Sequence, residues 1–227
     1  EEPGSTVEIP QDTVYIDPAY KTTPYEKTSD SFRFSVFGEP REPKNLLEKI
    51  LQKKFVDTTN KYLEASAFVG VDSHQTAQLI DVPSISTGEG YKSFDIKGSR
   101  FIQLDTSDGG LSASGANQGQ WFLDQLHTVE GSNVFIFMPS SPASFKDTLE
   151  ANLFKDTLTE YIERTGKNVW VFLKSSENTS YMEDGIKYIT TAGFDAEGLT
   201  PDNTDAARFV LVTVKNNEVY FEFKPIV

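Results

Sequence analysis

Few side chains of this sequence combine the residue types and positions that chemistry requires. Ser140 and Ser141 follow an apolar run and could offer a hydroxyl nucleophile, and residues 105–110 carry enough oxygen donors to suggest a calcium-binding turn. His127 is one of only two histidines. Cysteine is absent, which excludes thiol catalysis, disulfides and Cys-ligated metal centres.

Each of these signals has a plainer structural interpretation. The sequence places no His or Lys base beside either serine, and it lacks the Gly-x-Ser-x-Gly pattern of a nucleophile elbow. The oxygen-rich turn over residues 105–110 lacks the spacing and the final glutamate of an EF-hand. His127 comes near the predicted end of a helix, which favours a capping or dipole contact. We therefore expect all of these residues to be structural.

The composition limits the kinds of molecule that this chain is expected to bind. The 227 residues carry a formal net charge of −13, and 37% of them are hydrophobic. One sizeable core is therefore expected, under an acidic surface that repels phosphate backbones and anionic lipids. No apolar run reaches the ~20 residues of a membrane span, so we expect no nucleic-acid partner and no membrane insertion. The chain begins with Glu1 rather than Met, which suggests a mature form or a piece of a longer protein. The lack of cysteine and the acidic charge are compatible with a larger, exported bacterial protein that is extracellular or at the cell surface.

Strand and helix patterns alternate along most of the chain. Four prolines disfavour a helix in residues 1–30, where we predict a linker or an edge-docked arm, with a short strand at residues 14–16 as one option. A single domain over residues 31–227 follows. Its pattern predicts strands near residues 32–37, 67–71, 80–85, 94–105 (two strands), 134–138, 169–173, 185–189, 209–214 and 219–223, and helices near 46–55, 118–126 and 144–165. The last two strands are predicted to form a hairpin that turns at Asn216-Asn217. The order of elements indicates a layered α/β domain with a mixed sheet or a pair of sheets.

The third predicted helix has the clearest boundaries. Ser144 and Asp147 suggest a capping box at its start, and Gly166 suggests its end. Its predicted buried face comprises Leu149, Leu153, Leu158, Tyr161 and Ile162.

Three stretches of the sequence resemble calcineurin-like metallophosphoesterases. Residues 91–111 are similar to the part that follows that family's Asn-His-Asp motif, residues 118–126 to its Gln-x-x-Trp-Leu helix, and residues 182–193 to its closing strands. The order of elements agrees from about residue 31 to the end of the chain. The resemblance implies an α/β fold of two packed mixed β-sheets flanked by helices. In that family two metal ions at the strand ends activate a hydroxide that hydrolyses phosphate esters.

The metal-binding motifs of the family are replaced in this sequence. Its Asp-x-His motif becomes Glu39 and Arg41, and an arginine has no lone pair to offer a metal ion. Its other motifs lose their aspartate, asparagine and histidine ligands as well. The overwritten positions are Glu39, Arg41, Val71, Glu89, Pro139, Ser175 and Glu177. The resemblance thus implies no catalytic residue, no cofactor and no bound metal.

A rebuilt site is the alternative. It would hold one divalent cation between Glu39, Asp72, His74 and Glu89. Arg41 and Lys174 argue against two dications, because like charges repel. We expect these cations to pair with Glu39 and Glu177 and so to replace the charge of the metals.

The favoured hypothesis is a non-catalytic metallophosphoesterase-like module, a pseudoenzyme. It would act as a scaffold or binding domain of a larger protein and contact neighbouring domains, another protein or a glycan. The alternative is a divergent metal-dependent phosphoesterase or other hydrolase with rebuilt ligands. A calcium-stabilised structural domain of a surface protein is a third hypothesis.

Overall fold

The computed structural model describes residues 27–38, 41–70, 74–88, 90–196 and 198–226. The strands are β1 (Ser31–Phe37), β2 (Ala65–Phe68), β3 (Ser84–Ser86), β4 (Lys92–Ile96), β5 (Ser99–Gln103), β6 (Asn133–Met138), β7 (Asn168–Lys174), β8 (Thr179–Glu183), β9 (Ile186–Thr191), β10 (Arg208–Lys215) and β11 (Glu218–Pro225). The helices are α1 (Leu46–Tyr62), α2 (His74–Ala77), α3 (Leu111–Ser114), α4 (Gln118–His127) and α5 (Thr148–Thr165), with short 3-10 helices at Pro142–Ser144 and Thr204–Ala206. None of these helices is long and apolar enough to cross a membrane.

The strands form two mixed sheets. The five-stranded sheet has the order β11-β10-β1-β2-β3, and the six-stranded sheet has the order β4-β5-β6-β7-β9-β8. Strands β1, β2 and β3 are parallel to one another, as are β5, β6, β7 and β9. Antiparallel strands complete both sheets. The predicted fold class, two packed mixed sheets flanked by helices, is confirmed.

Phenylalanine rings fill the space between the sheets. The ring centroid of Phe34 in β1 lies 4.9 Å from those of Phe101 in β5 and Phe135 in β6, and all three side chains are fully buried. Edge-to-face contacts of this kind add to the stabilisation that apolar burial provides. The core between the sheets thus fixes the distance between the two sets of parallel strands.

Helices cover the outer face of each sheet. Phe55 of α1 stacks on Phe37 of β1 at 4.8 Å between ring centroids, outside the five-stranded sheet. Phe122 of α4 stacks on Phe154 of α5 at 5.5 Å, in the cluster that packs on the six-stranded sheet. The order of layers is therefore helix, sheet, sheet, helix, as expected when each sheet must bury both faces.

Short-range signals account for several chain reversals and helix ends. The Asn45 side chain accepts a hydrogen bond from the Glu48 amide at the start of α1. Gly166 ends α5 in the left-handed conformation, as predicted. Asn216 and Asn217 both have positive φ and turn β10 into β11, as the predicted hairpin requires.

Two expectations about local structure are wrong, and one strand was missed. The N-cap of α5 is Asp147 alone, whose side chain accepts from the Leu149 amide, because Ser144 lies in the preceding 3-10 helix. Strand β3 begins only at Ser84, since the preceding residues form α2 and a turn. Strand β8 was not predicted; its residues are mostly polar, and an edge strand needs only one neighbour.

The predicted buried face of α5 is also partly wrong. Leu149 and Leu153 are 75% and 63% exposed. The buried residues of the helix are Ala151, Phe154, Leu158 and Tyr161. The predicted strand at residues 14–16 lies outside the described residues.

Replacing Tyr188 with phenylalanine is expected to raise the free energy of unfolding by about 1 kcal/mol. The Tyr188 hydroxyl is buried without a hydrogen-bond partner among the described residues, and burial raises its pKa above the ordinary value. Removing the hydroxyl leaves the ring stacked on Tyr181. Urea unfolding measures the change, and a lower stability of the variant would show that the hydroxyl has a partner after all.

Candidate functional site

The carboxyl ends of the parallel strands of both sheets meet at one edge of the sandwich. A Cβ atom on Gly38, directly after β1, would lie 2.3 Å from the carbonyl oxygen of Thr191 at the end of β9. The backbones of the two sheets are therefore in direct contact here. Parallel strands commonly place functional side chains at their carboxyl ends, so this edge is the candidate functional site.

A layer of residues covers the phenylalanine core at this edge. Along the chain, each member follows by two positions the last residue of a strand whose side chain is buried between the two sheets. We call these residues the strand-end layer: Gly38, Thr87, Gln103, Pro139, Lys174 and Thr191. All of them are buried except Lys174, which is partly exposed.

Gln103 links the two sheets within the strand-end layer. The Ser86 amide donates a hydrogen bond to Oε1 of Gln103 at 3.1 Å, and Nε2 of Gln103 donates to the Gly90 carbonyl at 2.6 Å. The hydroxyl of Thr87 donates to the Gly70 carbonyl at 3.3 Å. These buried polar groups are satisfied within the protein, as burial requires. Two other members differ, because Lys174 is charged and the Thr191 hydroxyl is buried without a hydrogen-bond partner among the described residues. The hydrogen bonds of Gln103 and Thr87 suit a structural closure of this edge.

The loops that follow β5 and β6 are tied to each other. The Ser140 amide donates to Oγ1 of the fully buried Thr106 at 3.1 Å. Ser141 accepts from the Ala143 amide and caps the 3-10 helix. Asp105 accepts hydrogen bonds from both the amide and the hydroxyl of Ser107. The serines and the oxygen-rich turn thus take part in local loop structure.

An ion-pair cluster lies beside the strand-end layer. Nη1 of Arg41 is 2.7 Å from Oε2 of Glu48, and Nε of Arg41 is 3.0 Å from Oδ1 of Asp195. Nζ of Lys174 lies 3.7 Å from Oδ2 of Asp195. The cluster joins α1, the end of β7 and the loop after β9. We call Arg41, Glu48, Lys174 and Asp195 the charged cluster.

Contacts within the charged cluster shift the pKa values of Arg41 and Glu48. The hydrogen bond from Arg41 holds the pKa of Glu48 below its ordinary value, against the opposing effect of burial. The same hydrogen bond raises the pKa of Arg41. Both groups therefore stay charged over a wider pH range than they would in the unfolded chain.

The sequence predicted the cations of this cluster and not these acidic partners. Glu48 had a local signal, because Asn45 and Glu48 form the first and last residues of a capping-box pattern. No local sequence pattern indicated Asp195, because it is distant from Arg41 in the sequence. Glu177 is exposed, and its amide donates to Oγ of Ser175.

The motif positions divide into two groups. Arg41, Pro139, Ser175 and Glu177 lie at the edge that contains the strand-end layer, where the Ser175 amide donates to the Thr191 carbonyl at 3.2 Å. Positions outside the described residues, or with an undescribed side chain, are Glu39, Val71, Asp72, His74 and Glu89. Across the described ranges, no three His, Asp or Glu side chains form a group that could hold a metal ion.

A scan against protein-family models finds no match, and a search of curated proteins finds none either. Solved structures do match. GAP50, described as the anchor in the inner membrane complex of Plasmodium, is similar with a TM-score of 0.56 and 10% identity, over 86% of this chain and 85% of that chain. The chain therefore shares its overall fold with GAP50. The structural neighbours also include a predicted phosphoesterase from Streptococcus pneumoniae and a Vps29 mutant from Entamoeba histolytica.

These two neighbours are more distant in structure. The predicted phosphoesterase has a TM-score of 0.45 and 8% identity, over 86% of this chain and 90% of its own. The Vps29 mutant has a TM-score of 0.41 and 8% identity, over 85% of this chain and 98% of its own. At such identities a likeness establishes fold alone, and function has to be argued from the site.

Proposed function

We propose that this chain is a non-catalytic metallophosphoesterase-like module that serves as a scaffold or binding domain. The observation that carries the proposal is the strand-end layer, in which buried neutral groups such as Gln103 and Thr87 bond to the protein itself. A phosphoesterase of this fold needs anionic or imidazole ligands at these strand ends for two metal ions. The described residues of this edge do not fit that requirement.

The charge at this edge supports the same proposal. Arg41 and Lys174 bring two cations to the place where a metal pair would add four positive charges. The carboxylates of Glu48 and Asp195 are already within ion-pair distance of these cations. An ion-paired cluster can stabilise the edge without any metal, because each buried charge has a partner.

The binding role is supported by the range of uses this fold admits. GAP50 is described as an anchor, and anchoring requires a surface rather than a reaction. A fold can lose its chemistry and keep its surfaces, since function depends on the site and not on the fold. For this chain the expected partners are neighbouring domains of a larger, exported bacterial protein, another protein or a glycan.

Metal content and turnover test the proposal. The protein is purified without chelator, resupplied with manganese, zinc or calcium, and analysed by mass spectrometry beside an assay with a chromogenic phosphodiester. We expect substoichiometric metal and no metal-dependent turnover. Near-stoichiometric metal with turnover, both lost when Glu39 and Asp72 are replaced by alanine, would overturn the proposal and support a rebuilt hydrolase site.

Calcium requires a separate measurement, because a structural calcium ion would not give turnover. A ligand that binds only the native state stabilises it by an amount that grows with the logarithm of the ligand concentration divided by its dissociation constant, and so raises the melting temperature. We expect the same melting temperature in calcium and in chelator. A calcium-dependent rise would favour a calcium-stabilised structural domain instead.

A further inference from the structure

Helices α4 and α5, which pack on the six-stranded sheet, leave an apolar groove between them. The groove, with a volume of about 280 Å³, is lined by Leu111, Gly119, Phe122, Leu123, Leu149 and Leu153. A second cavity of about 530 Å³ continues along the same two helices and shares Leu123 and Thr157. We call this combined feature the α4/α5 groove.

Leu149 and Leu153 make this groove unusual for an acidic surface. They are 75% and 63% exposed and lie one turn apart on α5. Burying a leucine side chain is worth roughly 2 kcal/mol, and neither residue gains that benefit within the described part of the chain. Neighbouring exposed leucines that line a groove point to contact with another molecule.

Gly119 supplies an independent observation. It lies inside α4, where a glycine costs about 1 kcal/mol relative to alanine. A Cβ atom at this position would meet no atom within 4 Å, and the backbone does not have positive φ. Nothing in the described structure therefore requires a glycine here. Its effect is to keep the groove open.

The charge of the groove selects the kind of occupant. The lining residues of the two cavities include four acidic side chains, Asp147, Glu150, Glu160 and Glu163, against one arginine, Arg164. An occupant with basic side chains beside its apolar face would match this rim. A second copy of the chain is disfavoured, because each copy carries a net charge of −13. The chain's own residues 1–26 are disfavoured too, because they contain six acidic residues and one lysine.

We infer that the α4/α5 groove binds a basic amphipathic helix of a partner protein. Leucine-type side chains at positions i and i+4 of that helix would pack against Leu149, Leu153 and the open space above Gly119. Lysine or arginine side chains at its margins would face Glu160 and Glu163. The inference rests on the proposed function, since it names the surface that a binding module would use.

The probe is a fluorescein-labelled amphipathic peptide of leucine and lysine, roughly 18 residues or five helical turns long. A second peptide has the same leucine pattern with glutamate in place of lysine. Fluorescence anisotropy at physiological salt measures binding of both to the purified chain. We expect saturable binding of the lysine peptide alone. Equal binding of the glutamate peptide, or no binding of either, would overturn the inference.

Amino-acid substitutions test whether the lysine peptide binds in the α4/α5 groove. Gly119→Leu fills the groove from its floor, and the double variant Leu149→Ser with Leu153→Ser removes the exposed leucines. We expect each to weaken binding of the lysine peptide by about tenfold or more. The matched control is Leu46→Ser with Ile50→Ser, since these residues are also one turn apart on a helix and are 73% and 46% exposed. The control is expected to bind normally.

Two further outcomes would overturn the inference. If the Leu46 and Ile50 control weakens binding as much as the groove variants do, the peptide binds by charge alone. If light scattering shows dimers that dissociate on replacement of Leu149 and Leu153, the occupant is a second copy. Because no arm of the experiment involves metal or turnover, these failures would leave the non-catalytic proposal standing. Thermal unfolding confirms that each variant is folded.

Discussion

Replacing Gly38 with alanine is expected to lower the free energy of unfolding by about 3 kcal/mol. The added Cβ would lie 2.3 Å from the Thr191 carbonyl oxygen, 2.6 Å from the Ala192 carbonyl carbon and 2.7 Å from the Gly193 amide nitrogen. All three are backbone atoms, so no side chain can rotate away to relieve the clash. The end of β1 must separate from the end of β9 instead. Urea unfolding at neutral pH measures the loss.

Gly119 provides the matched control for this prediction. The same substitution there adds a Cβ that meets no atom within 4 Å, in the interior of α4. Gly119→Ala is therefore expected to raise the free energy of unfolding by about 1 kcal/mol. If Gly38→Ala unfolds at the same urea concentration as the unmodified protein, the direct contact between β1 and β9 is refuted.

The Gly38 contact also bears on function. Gly38 directly precedes Glu39, the first of the positions at which the resemblance predicts a replaced metal ligand. A backbone contact between the sheets at this point gives a rigid closure, which suits a structural role of the strand-end layer. A variant that separates the two strands should loosen this edge, so hydrogen exchange at Ser175 and Thr191 should become faster in Gly38→Ala.

Replacing Glu48 with alanine is also expected to cost about 3 kcal/mol, because it leaves the largely buried Arg41 without its main partner. The side chains of Arg41 and Glu48 are only 15% and 7% exposed. The Glu48 carboxylate also accepts from the Lys44 amide at the start of α1. Glu48→Gln keeps the volume and some hydrogen bonds, so a smaller loss is expected. Equilibrium unfolding of the two variants measures the difference.

The contribution of Glu48 should depend on pH in a defined direction. Arg41 lowers the folded-state pKa of Glu48 from 4.5, so the stabilisation is present above that pH and is lost as the pH falls through the lowered pKa. The stability difference between the unmodified protein and Glu48→Gln should therefore be largest near neutral pH and shrink in acid. A difference that stays constant into strong acid would contradict this assignment.

An exposed ion pair on the same helix is the control for Glu48. Lys53 and Asp57 lie one turn apart on α1, with side chains 75% and 62% exposed. Water and salt screen such a pair, so replacing either residue with alanine should change the free energy of unfolding by less than about 0.5 kcal/mol. A large loss at Lys53 would mean that α1 is sensitive to any substitution, and the effect at Glu48 could not be assigned to the charged cluster.

Much of the fold could be predicted because its elements carry local signals. Alternating apolar and polar residues located β1, apolar runs located β6 and β7, and the Asn216-Asn217 pair located the final hairpin. Helical spacing located α1, α4 and α5. The edge strand β8 gave no such signal, because its hydrogen bonds to β9 depend on a neighbour and not on its own composition.

The buried face of α5 was harder to predict than the presence of the helix itself. The apolar residues of α5 form two overlapping stripes, one with Leu149 and Leu153 and the other with Phe154 and Leu158. Periodicity alone cannot say which stripe contacts the sheet. The position of the sheet beneath α5 decides it, and that is why the exposed leucines of the α4/α5 groove were predicted to be buried.

The sequence by itself determined the α/β class, the absence of cysteine chemistry and the net negative charge, since each follows from residue identity or local spacing. Only the tertiary structure decided that Gln103 links the sheets, that Arg41 pairs with Glu48 and Asp195, and that Gly38 meets the backbone of Thr191. These contacts join residues far apart in the chain. Their formation depends on how two sheets pack, and no local pattern records that packing.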